Sequence, residues 1–239
     1  MADESLGANA GGRLEAYIEA HVDGESDYLY RLWRATNVHT IHGRMVSGHL
    51  QGRLLKMFVM MQRARLVLEV GTFSGYSAIC MAEGLKELDD ENLTHTDGKD
   101  TNHGISRKLF TFEINDEMED FTRPWIEHSA VARYIDFRIG DAITEAPRLG
   151  IRFDLAFIDG DKRTYVETYD AVRPLMNKGG LILADNTLWD GHVVDHAYDH
   201  DQQTIGIRRF NDYIRQDPGA EVVILPIRDG LTLIRMKAT

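Results

Sequence analysis

Apolar residues in the first quarter of the chain recur at helical spacing. From Leu14 to about Thr36 they form one such stripe, which the sequence DGES at 23–26 interrupts. A further apolar stripe covers residues 48–62. These patterns predict two helices joined by a turn and then a third helix, which together form an N-terminal helical extension over residues 13–62.

Beyond residue 64 the pattern changes to short aliphatic and β-branched runs separated by helical segments. Seven such runs are predicted as strands, at residues 65–70, 109–114, 134–140, 153–159, 179–185, 221–226 and 231–236. Strands that alternate with helices favour βαβ units, and therefore an α/β fold with a mainly parallel sheet and helices on both faces. The last two runs flank the turn RDG, which predicts a terminal hairpin and an antiparallel strand near one edge.

The pattern indicates a single domain over residues 13–239, without internal repeats. Residues 1–12, MADESLGANAGG, precede the first apolar stripe and predict a short flexible tail. Residues 89–106 are polar, aperiodic and rich in Gly, Asn and Asp, so they predict a surface loop inserted between a helix and a strand.

Composition limits the partners of the chain. Its 239 residues have a formal net charge of −11, which argues against a nucleic-acid or anionic-membrane partner because phosphate-rich surfaces would repel it. No apolar run approaches the roughly 20 residues of a membrane span, and the amino terminus lacks the pattern of a signal peptide. The single cysteine, Cys80, excludes an internal disulfide and fits a reducing compartment. The cytoplasm is therefore the expected location.

Candidate functional residues follow the predicted strands, where open parallel sheets bind ligands. The first strand leads into a glycine-rich turn that contains Glu69, Gly71, Thr72 and Ser77. Its G-x-x-x-G spacing differs from the G-x-G-x-x-G of dinucleotide binders, and Glu69 suits a ligand with a cationic amino-acid moiety better than a pyrophosphate. A purely structural turn is an equally common explanation for such a segment.

The second and third strands end in further candidates. Glu113 can accept both hydroxyls of a ribose, and it can equally be a solvated carboxylate that opens the next helix. Asp141 and Ala142 follow the third strand, where an amide and a carboxylate can meet an adenine edge. Both interpretations of Glu113 stay open at this point.

Two acids and an amide follow the fourth and fifth strands. Asp159 ends one strand, and Asp185 and Asn186 end the next. Adjacent parallel strands lie about 4.8 Å apart, so these side chains can converge. Hard oxygen ligands with two negative charges favour Mg²⁺, with Ca²⁺ or Mn²⁺ as alternatives. Either acid alone would more often cap a helix or turn the chain, but the paired placement favours the metal.

Lys162 lies just after Asp159 in the sequence. A partly desolvated lysine beside a divalent cation can act as a general base, whereas without the metal an ordinary exposed lysine is the simpler interpretation. The histidine-rich stretch at 190–201 raises a zinc alternative in which His192, His196 and His200 share a helical face. Its Gly, Asp and Tyr content favours a polar loop instead.

Five motifs together resemble those of a known enzyme family, the metal-dependent O-methyltransferases of the caffeoyl-CoA and catechol type, which use S-adenosylmethionine. These motifs are MVSGHLQGRLL, LEVGTFSGYSA, FTFEIN, FDLAFIDGDKRTY and GGLILADNTLWDGHVV. The resemblance extends from about Thr36 to Met236. It implies a Rossmann-like fold with a seven-stranded, mostly parallel sheet and one antiparallel strand, and it implies a homodimer.

The resemblance also implies roles for individual residues. Asp159, Asp185 and Asn186 match the divalent-metal ligands, and Lys162 stands at the spacing of the proposed catalytic base. Asp190 stands where plant enzymes place a substrate-contacting asparagine. A larger set matches positions that contact or lie beside S-adenosylmethionine: Met45, Ser47, Glu69, Gly71, Thr72, Ser77, Glu113, Ala142, Asp159, Asp161 and Tyr169.

The implied reaction is methyl transfer from S-adenosylmethionine to a hydroxyl of a catechol-like or other vicinal-diol aromatic small molecule. HLQGRL at 49–54 replaces ADEGQF of the plant enzymes, and the 89–106 segment has no counterpart there, which argues against caffeoyl-CoA itself as the acceptor. One alternative is an NAD-dependent oxidoreductase, which the glycine spacing disfavours. Another is a non-catalytic binding protein that retains the fold, which the intact metal and cofactor positions disfavour.

Overall fold

The computed structural model describes residues 4–95 and 107–237. In this part of the chain, seven strands form one sheet in the order β3-β2-β1-β4-β5-β7-β6. The strands are β1 (Leu66–Val70), β2 (Lys108–Glu113), β3 (Ile135–Ile139), β4 (Phe153–Ile158), β5 (Met176–Ala184), β6 (Ala220–Leu225) and β7 (Leu231–Met236). Among these strands β7 alone has the opposite direction, so its pairings with β5 and β6 are antiparallel. The predicted mostly parallel α/β sheet with one antiparallel strand is confirmed, although β7 lies inside the sheet and β6 forms the edge.

Eight α-helices accompany the sheet in the described residues. They are α1 (Glu4–His21), α2 (Asp27–His39), α3 (His49–Met61), α4 (Tyr76–His95), α5 (Glu119–Glu127), α6 (Ala142–Glu145), α7 (Tyr165–Val172) and α8 (Gln202–Arg215). The predicted turn at 23–26 separates α1 from α2, and Ser26 caps α2 by accepting a hydrogen bond from the Leu29 amide at 3.3 Å. Among the described residues, no helix combines the length and the apolar character needed to cross a membrane.

Two segments differ from the prediction. α1 begins at Glu4, within the stretch predicted as a tail, and its Leu14 and Tyr17 are exposed, so no buried stripe marks where the helix starts. α4 continues to His95, so residues 89–95 are helical and not part of a loop. The polar Asp89 belongs to this helix and accepts a hydrogen bond from Arg107 at 2.9 Å. Residues 1–3, 96–106 and 238–239 lie outside the described part of the chain.

The core consists of two apolar layers, one on each face of the sheet. Successive strand residues alternate between them: Val67 packs into the layer beneath α2 to α5, and Leu68 packs into the layer beneath α6 to α8. The central strands β1 and β4 are buried on both faces, which explains why they appear in the sequence as nearly continuous apolar runs.

The carboxyl ends of the central strands are joined to one another by backbone hydrogen bonds. The Asp159 amide donates to the Val70 carbonyl at 2.8 Å, and the Asp185 amide donates to the Ile158 carbonyl at 3.0 Å. Because β7 is antiparallel to β5, the turn that precedes β7 lies at this same edge. There the Leu188 amide donates to the Asp229 carbonyl at 2.7 Å. The strand ends and the hairpin turn therefore form one polar edge of the sheet.

Gly206 allows α8 to pack closely against this edge. A Cβ at position 206 would lie 2.4 Å from the carbonyl oxygen of Lys162 and 2.8 Å from the Cα of Arg163. These are backbone atoms and cannot rotate away, so a larger residue would displace either the helix or the turn that contains Lys162.

We predict that Gly206→Ala lowers the free energy of unfolding by about 1–3 kcal/mol, because overpacking outweighs the better helix propensity of alanine. Gly12→Ala is the matched control, since Gly12 is also helical and a Cβ added there would meet no atom within 4 Å. Urea denaturation measures both variants. Equal stability of Gly206→Ala and the wild type would contradict the close contact.

Candidate active site

A cleft opens beside the carboxyl end of β1, and we call it the β1 cleft. Its lining comes from three separate segments of the chain: Met45, Val46, Ser47, Gly71, Thr72, Phe73, Ser74, Tyr76, Ser77 and Asp159. Six of these are residues that the sequence predicted to bind a cofactor, namely Met45, Ser47, Gly71, Thr72, Ser77 and Asp159. The fold therefore brings together positions that are more than 100 residues apart in the sequence.

Gly71 permits the β1 turn to cross the end of β4. Its φ is +97°, a left-handed conformation that residues other than glycine rarely adopt. A Cβ at this position would lie 2.3 Å from the carbonyl oxygen of Asp159. Only glycine permits this close approach, which brings Asp159 into the lining of the cleft.

Glu69 is a fully buried carboxyl group beside the cleft. It accepts hydrogen bonds from the hydroxyls of Ser77 at 2.6 Å and Thr111 at 2.5 Å. Burial raises the pKa of Glu69 to about 8, although both hydrogen bonds oppose the shift. Ser77 lines the cleft, so a cationic group bound there would approach a carboxyl group that gains stability by ionising next to it.

Glu113 connects the turns that follow β1 and β2. One of its carboxylate oxygens accepts a hydrogen bond from the Phe73 amide at 2.7 Å, and the other accepts one from the Asn115 amide at 2.9 Å. The side chain is buried, so it is not the solvated carboxylate of the second interpretation. Each oxygen keeps a lone pair that a ligand hydroxyl can use.

The end of β3 lies next to Glu113. The Gly140 amide donates to the Glu113 carbonyl at 2.8 Å, and Asp141 caps α6 by accepting a hydrogen bond from the Ile143 amide at 2.9 Å. Ala142 is the first residue of α6 and is buried. Asp141 and Ala142, the candidates for contact with an adenine, therefore lie one strand away from Glu113, on the same polar edge.

Asp159 and Asp185 follow directly paired residues of adjacent strands. Ile158 of β4 is in register with Ala184 of β5, so the two acids occupy neighbouring positions just beyond the sheet. Burial, reinforced by the negative charge of Asp159, raises the pKa of Asp185 to about 6. Two carboxyl groups that are close enough to repel each other form a site that a cation would stabilise.

Asn186 completes the predicted metal-ligand set. It has a left-handed backbone with φ +55°, and its side-chain amide nitrogen is 3.4 Å from an Asp229 carboxylate oxygen. The nitrogen side of the amide therefore faces Asp229, and the amide oxygen is the atom that could coordinate a metal ion. Within residues 4–95 and 107–237, no group of three or more His, Cys, Asp and Glu side chains is arranged to hold a metal ion. The predicted set differs from such a group because it contains two acids and one amide, and its hard oxygen donors fit a divalent cation such as Mg²⁺.

Lys162 is buried at the same place and is not an exposed lysine. Its ammonium donates to a carboxylate oxygen of Asp159 at 2.8 Å and to the hydroxyl of Tyr165 at 2.9 Å. Burial disfavours the charge on Lys162, but Asp159 and Tyr165 outweigh it and raise the pKa of Lys162 above its ordinary value. In this arrangement Lys162 holds its proton.

Three residues predicted from the family resemblance have other surroundings. The hydroxyl of Tyr169 donates to Asp217 at 2.7 Å, and its ring packs edge-on against Phe210 in the core between α7 and α8. Asp161 pairs with Arg163, whose hydrogen bonds lower the pKa of Asp161. Asp190 is exposed and has a left-handed backbone. The structure does not place any of these three in the lining of the β1 cleft.

Asp190 belongs to a segment that Arg208 of α8 holds in place. The guanidinium of Arg208 donates to the carbonyl oxygens of His192, Val193 and Asp195, each at 2.9 Å. The ring of His192 stacks on Tyr198 with centroids 3.5 Å apart. These contacts tie the segment that follows Asn186 to α8.

Gln51 and Arg228 contact the site, although neither belongs to the predicted metal-ligand or cofactor-binding set. Gln51 lies on α3 and donates to a carboxylate oxygen of Asp185 at 2.6 Å. Arg228 lies in the turn before β7 and donates to Gln51. The family resemblance places position 51 near the active site, as a difference from the plant enzymes, but gives it no role, and the RDG motif indicates only a turn. No local pattern relates two residues this far apart in sequence.

The sequence matches known enzymes over most of its length. The family model described as O-methyltransferase matches residues 18–237. Tricin synthase 2 of Oryza sativa subsp. japonica is 33% identical over 222 residues, covering 88% of this chain and 70% of the rice protein. Caffeoyl-CoA O-methyltransferase 1 of Eucalyptus globulus is 32% identical over 204 residues, covering 80% of this chain and 74% of the eucalyptus protein.

Solved structures agree with this assignment. A putative O-methyltransferase from Klebsiella pneumoniae has a TM-score of 0.78 and 26% identity, covering 95% of this chain and 97% of its own. The SAH-bound methyltransferase PaMTH1 of Podospora anserina has a TM-score of 0.82 with 24% identity and 96% coverage of both chains, which shows a shared fold. The predicted family resemblance and enzyme class are confirmed, and the chain belongs to the O-methyltransferase family.

Proposed function

We propose that this protein transfers a methyl group from S-adenosylmethionine to a hydroxyl of a catechol-like or other vicinal-diol aromatic small molecule, with the help of a divalent cation. The observation that supports it best is the adjacent pair Asp159 and Asp185, next to the β1 cleft. Similarity to enzymes named as caffeoyl-CoA O-methyltransferase and tricin synthase supports an aromatic small-molecule acceptor. We also propose a homodimer, on the family resemblance, and a cytoplasmic location, on the single cysteine, which fits a reducing compartment.

The β1 cleft suits the amino-acid end of S-adenosylmethionine. Its ammonium would approach Glu69 through Ser77, which already donates to Glu69 at 2.6 Å. Met45 and Ser47, from the segment that precedes α3, line the cleft, and so do Gly71 and Thr72 from the β1 turn. When bound, S-adenosylmethionine supplies an electrophilic methyl group, and the role of these residues is to orient it.

The remaining predicted contacts lie farther along the polar edge. Glu113 is proposed to accept the ribose hydroxyls with the lone pairs that its two backbone donors leave unused. Ala142, buried at the start of α6, is proposed to lie against the adenine. Asp161 and Tyr169 stay predictions from the resemblance alone, because their contacts here are with Arg163 and Asp217.

Asp159, Asp185 and Asn186 are proposed to hold the divalent cation, most suitably Mg²⁺, with Ca²⁺ or Mn²⁺ as alternatives. Bound there, such an ion would supply positive charge that lowers the pKa of a hydroxyl on the acceptor. The aromatic acceptor is proposed to lie between this site and the segment that Arg208 orders, with Asp190 at its outer side. Proximity of the hydroxyl oxygen and the methyl group then contributes much of the acceleration.

Lys162 is the proposed acceptor of the hydroxyl proton. In the present structure it holds its own proton because Asp159 is its partner at 2.8 Å. It can therefore act as a base only when Asp159 is engaged by another cation and the ammonium has released a proton to solvent. Tyr165, which donates its hydroxyl to the Asp185 carbonyl at 3.1 Å, keeps the Lys162 amine directed at this site.

We predict that Asp185→Asn lowers methyl transfer to catechol by more than about 100-fold while the affinity for S-adenosylhomocysteine stays within a factor of about two. The substitution keeps the shape and removes one of the two charges. Turnover assays and isothermal titration calorimetry measure the two effects. Glu221→Gln, an exposed acid on β6, is the control and should behave as the wild type. Full activity in Asp185→Asn, or in wild type treated with EDTA, would contradict the metal requirement.

A second prediction concerns pH. Because the pKa of Glu69 is about 8 in the fold and near 4.5 when exposed, the folded state binds the extra proton between these values. The stability of the ligand-free protein therefore falls as pH rises from 5 to 8, with a contribution from Glu69 on the order of 3 kcal/mol. Glu69→Gln should remove this part of the decline.

Urea denaturation at pH 5 and pH 8 measures the effect as a difference between Glu69→Gln and the wild type. Glu221→Gln again serves as the control, because an exposed carboxyl should leave the slope unchanged. The same pH dependence in Glu69→Gln and the wild type would show that the buried carboxyl does not hold a proton in this range.

A further inference from the structure

We propose that Gln51 and Arg228 form a hydrogen-bonded relay that positions Asp185 to bind the divalent cation. The inference rests on the proposed function, because it assigns support to one of the proposed metal ligands. The relay has two contacts. The Gln51 side-chain amide donates to Oδ2 of Asp185 at 2.6 Å, and a guanidinium nitrogen of Arg228 donates to the amide oxygen of Gln51.

The chemistry of the three groups determines the orientation of the Gln51 amide. A guanidinium is only a donor and an ionised carboxylate is only an acceptor, so the amide oxygen must face Arg228 and the amide nitrogen must face Asp185. If the amide were rotated by 180°, its nitrogen would face the guanidinium of Arg228, another donor. Its oxygen would then face the carboxylate of Asp185, another acceptor. Gln51 is only 2% exposed, so water cannot readily replace either partner.

The relay supports Asp185 without using both of its oxygens. Gln51 contacts Oδ2 and makes no use of Oδ1. This hydrogen bond opposes the repulsion that the charge of Asp159 exerts on the Asp185 carboxylate. A neutral amide is suited to this task, because it holds the carboxylate without neutralising its charge. A direct ion pair with Arg228 would compete with the metal.

Arg228 is held by the turn that joins β6 to β7. Its backbone has φ +49°, and its guanidinium is also 3.4 Å from the Val46 carbonyl, next to the lining of the β1 cleft. The following residue, Asp229, is the partner of Asn186 at 3.4 Å and accepts the Leu188 amide through its carbonyl at 2.7 Å. The terminal hairpin therefore supports both proposed ligands that follow β5.

A purely structural role would have different consequences. If Gln51 only satisfied buried polar groups, its loss would lower stability but leave the metal affinity of the folded protein unchanged. If it positions Asp185, its loss weakens metal binding even in protein that is folded and binds S-adenosylhomocysteine normally. Support of this kind around a metal ligand is typically worth about 10–100-fold in affinity.

The experiment measures Mn²⁺ binding to the full-length protein without S-adenosylmethionine or acceptor, from the electron paramagnetic resonance signal of free Mn²⁺. We expect Gln51→Leu to bind Mn²⁺ about 10–100-fold more weakly than the wild type. S-adenosylhomocysteine affinity, measured by calorimetry on the same samples, should change by less than about twofold. The matched control is Gln62→Leu, because Gln62 follows the same helix and donates to the Gly179 carbonyl at 2.9 Å, away from the site.

Two further variants test the relay itself. Arg228→Met changes an exposed turn residue, so it provides a folded variant even if Gln51→Leu does not fold. It should weaken Mn²⁺ binding about 10-fold, since the Gln51 amide then loses the partner that orients it. The double variant should bind no more weakly than Gln51→Leu, because both substitutions break the same connection.

The outcomes separate the relay from the proposed function. Wild-type Mn²⁺ affinity in both Gln51→Leu and Arg228→Met would overturn the relay and leave the metal-dependent function standing. Independent, additive losses in the double variant would also overturn it. Absence of Mn²⁺ binding in the wild type would instead overturn the metal site, and the relay with it.

Discussion

The electrostatic repulsion between Asp159 and Asp185 is the constraint on which the rest of the site depends. The register of β4 and β5 leaves these two acids at neighbouring positions, and burial keeps Asp185 away from water. Placing a half-buried acid next to a buried one is unfavourable unless other groups compensate the two charges. The surrounding side chains are therefore best understood by how each of them supports one of these carboxylates.

The two acids are supported in different ways. Asp159 accepts a hydrogen bond from a full positive charge, the buried ammonium of Lys162, whereas Asp185 accepts one from the neutral side-chain amide of Gln51. This difference leaves Asp185 as a charged group that is held in place and still available to a cation. Glu69, one strand away from Asp159, is a fully buried carboxyl group and faces the β1 cleft through Ser77. The polar edge thus offers cation-binding groups at two adjacent places, which matches a sulfonium amino-acid cofactor beside a metal.

Much of this arrangement could be predicted from sequence, because strands and their ends leave local patterns. The alternating runs located all seven strands of the described sheet, and the strand-end acids Asp159 and Asp185 are neighbours as predicted. Contacts between distant segments leave no such pattern. Gln51 and Arg228 meet only because α3 and the terminal hairpin pack at one edge, and Tyr169 is oriented into the core by α8. Residues 89–95 are helical and not the predicted loop, because polar composition alone does not distinguish the end of a helix from a loop.

The central claim is that Asp159, Asp185 and Asn186 bind one divalent cation next to the β1 cleft. A crystal structure with Mn²⁺ and S-adenosylhomocysteine, with the metal located by its anomalous scattering, tests it most directly. We expect one anomalous peak bonded to oxygens of all three side chains, with Lys162 displaced from Asp159 and the homocysteine end of the ligand in the β1 cleft. A peak elsewhere, or none at these side chains with the ligand fully bound, would contradict it.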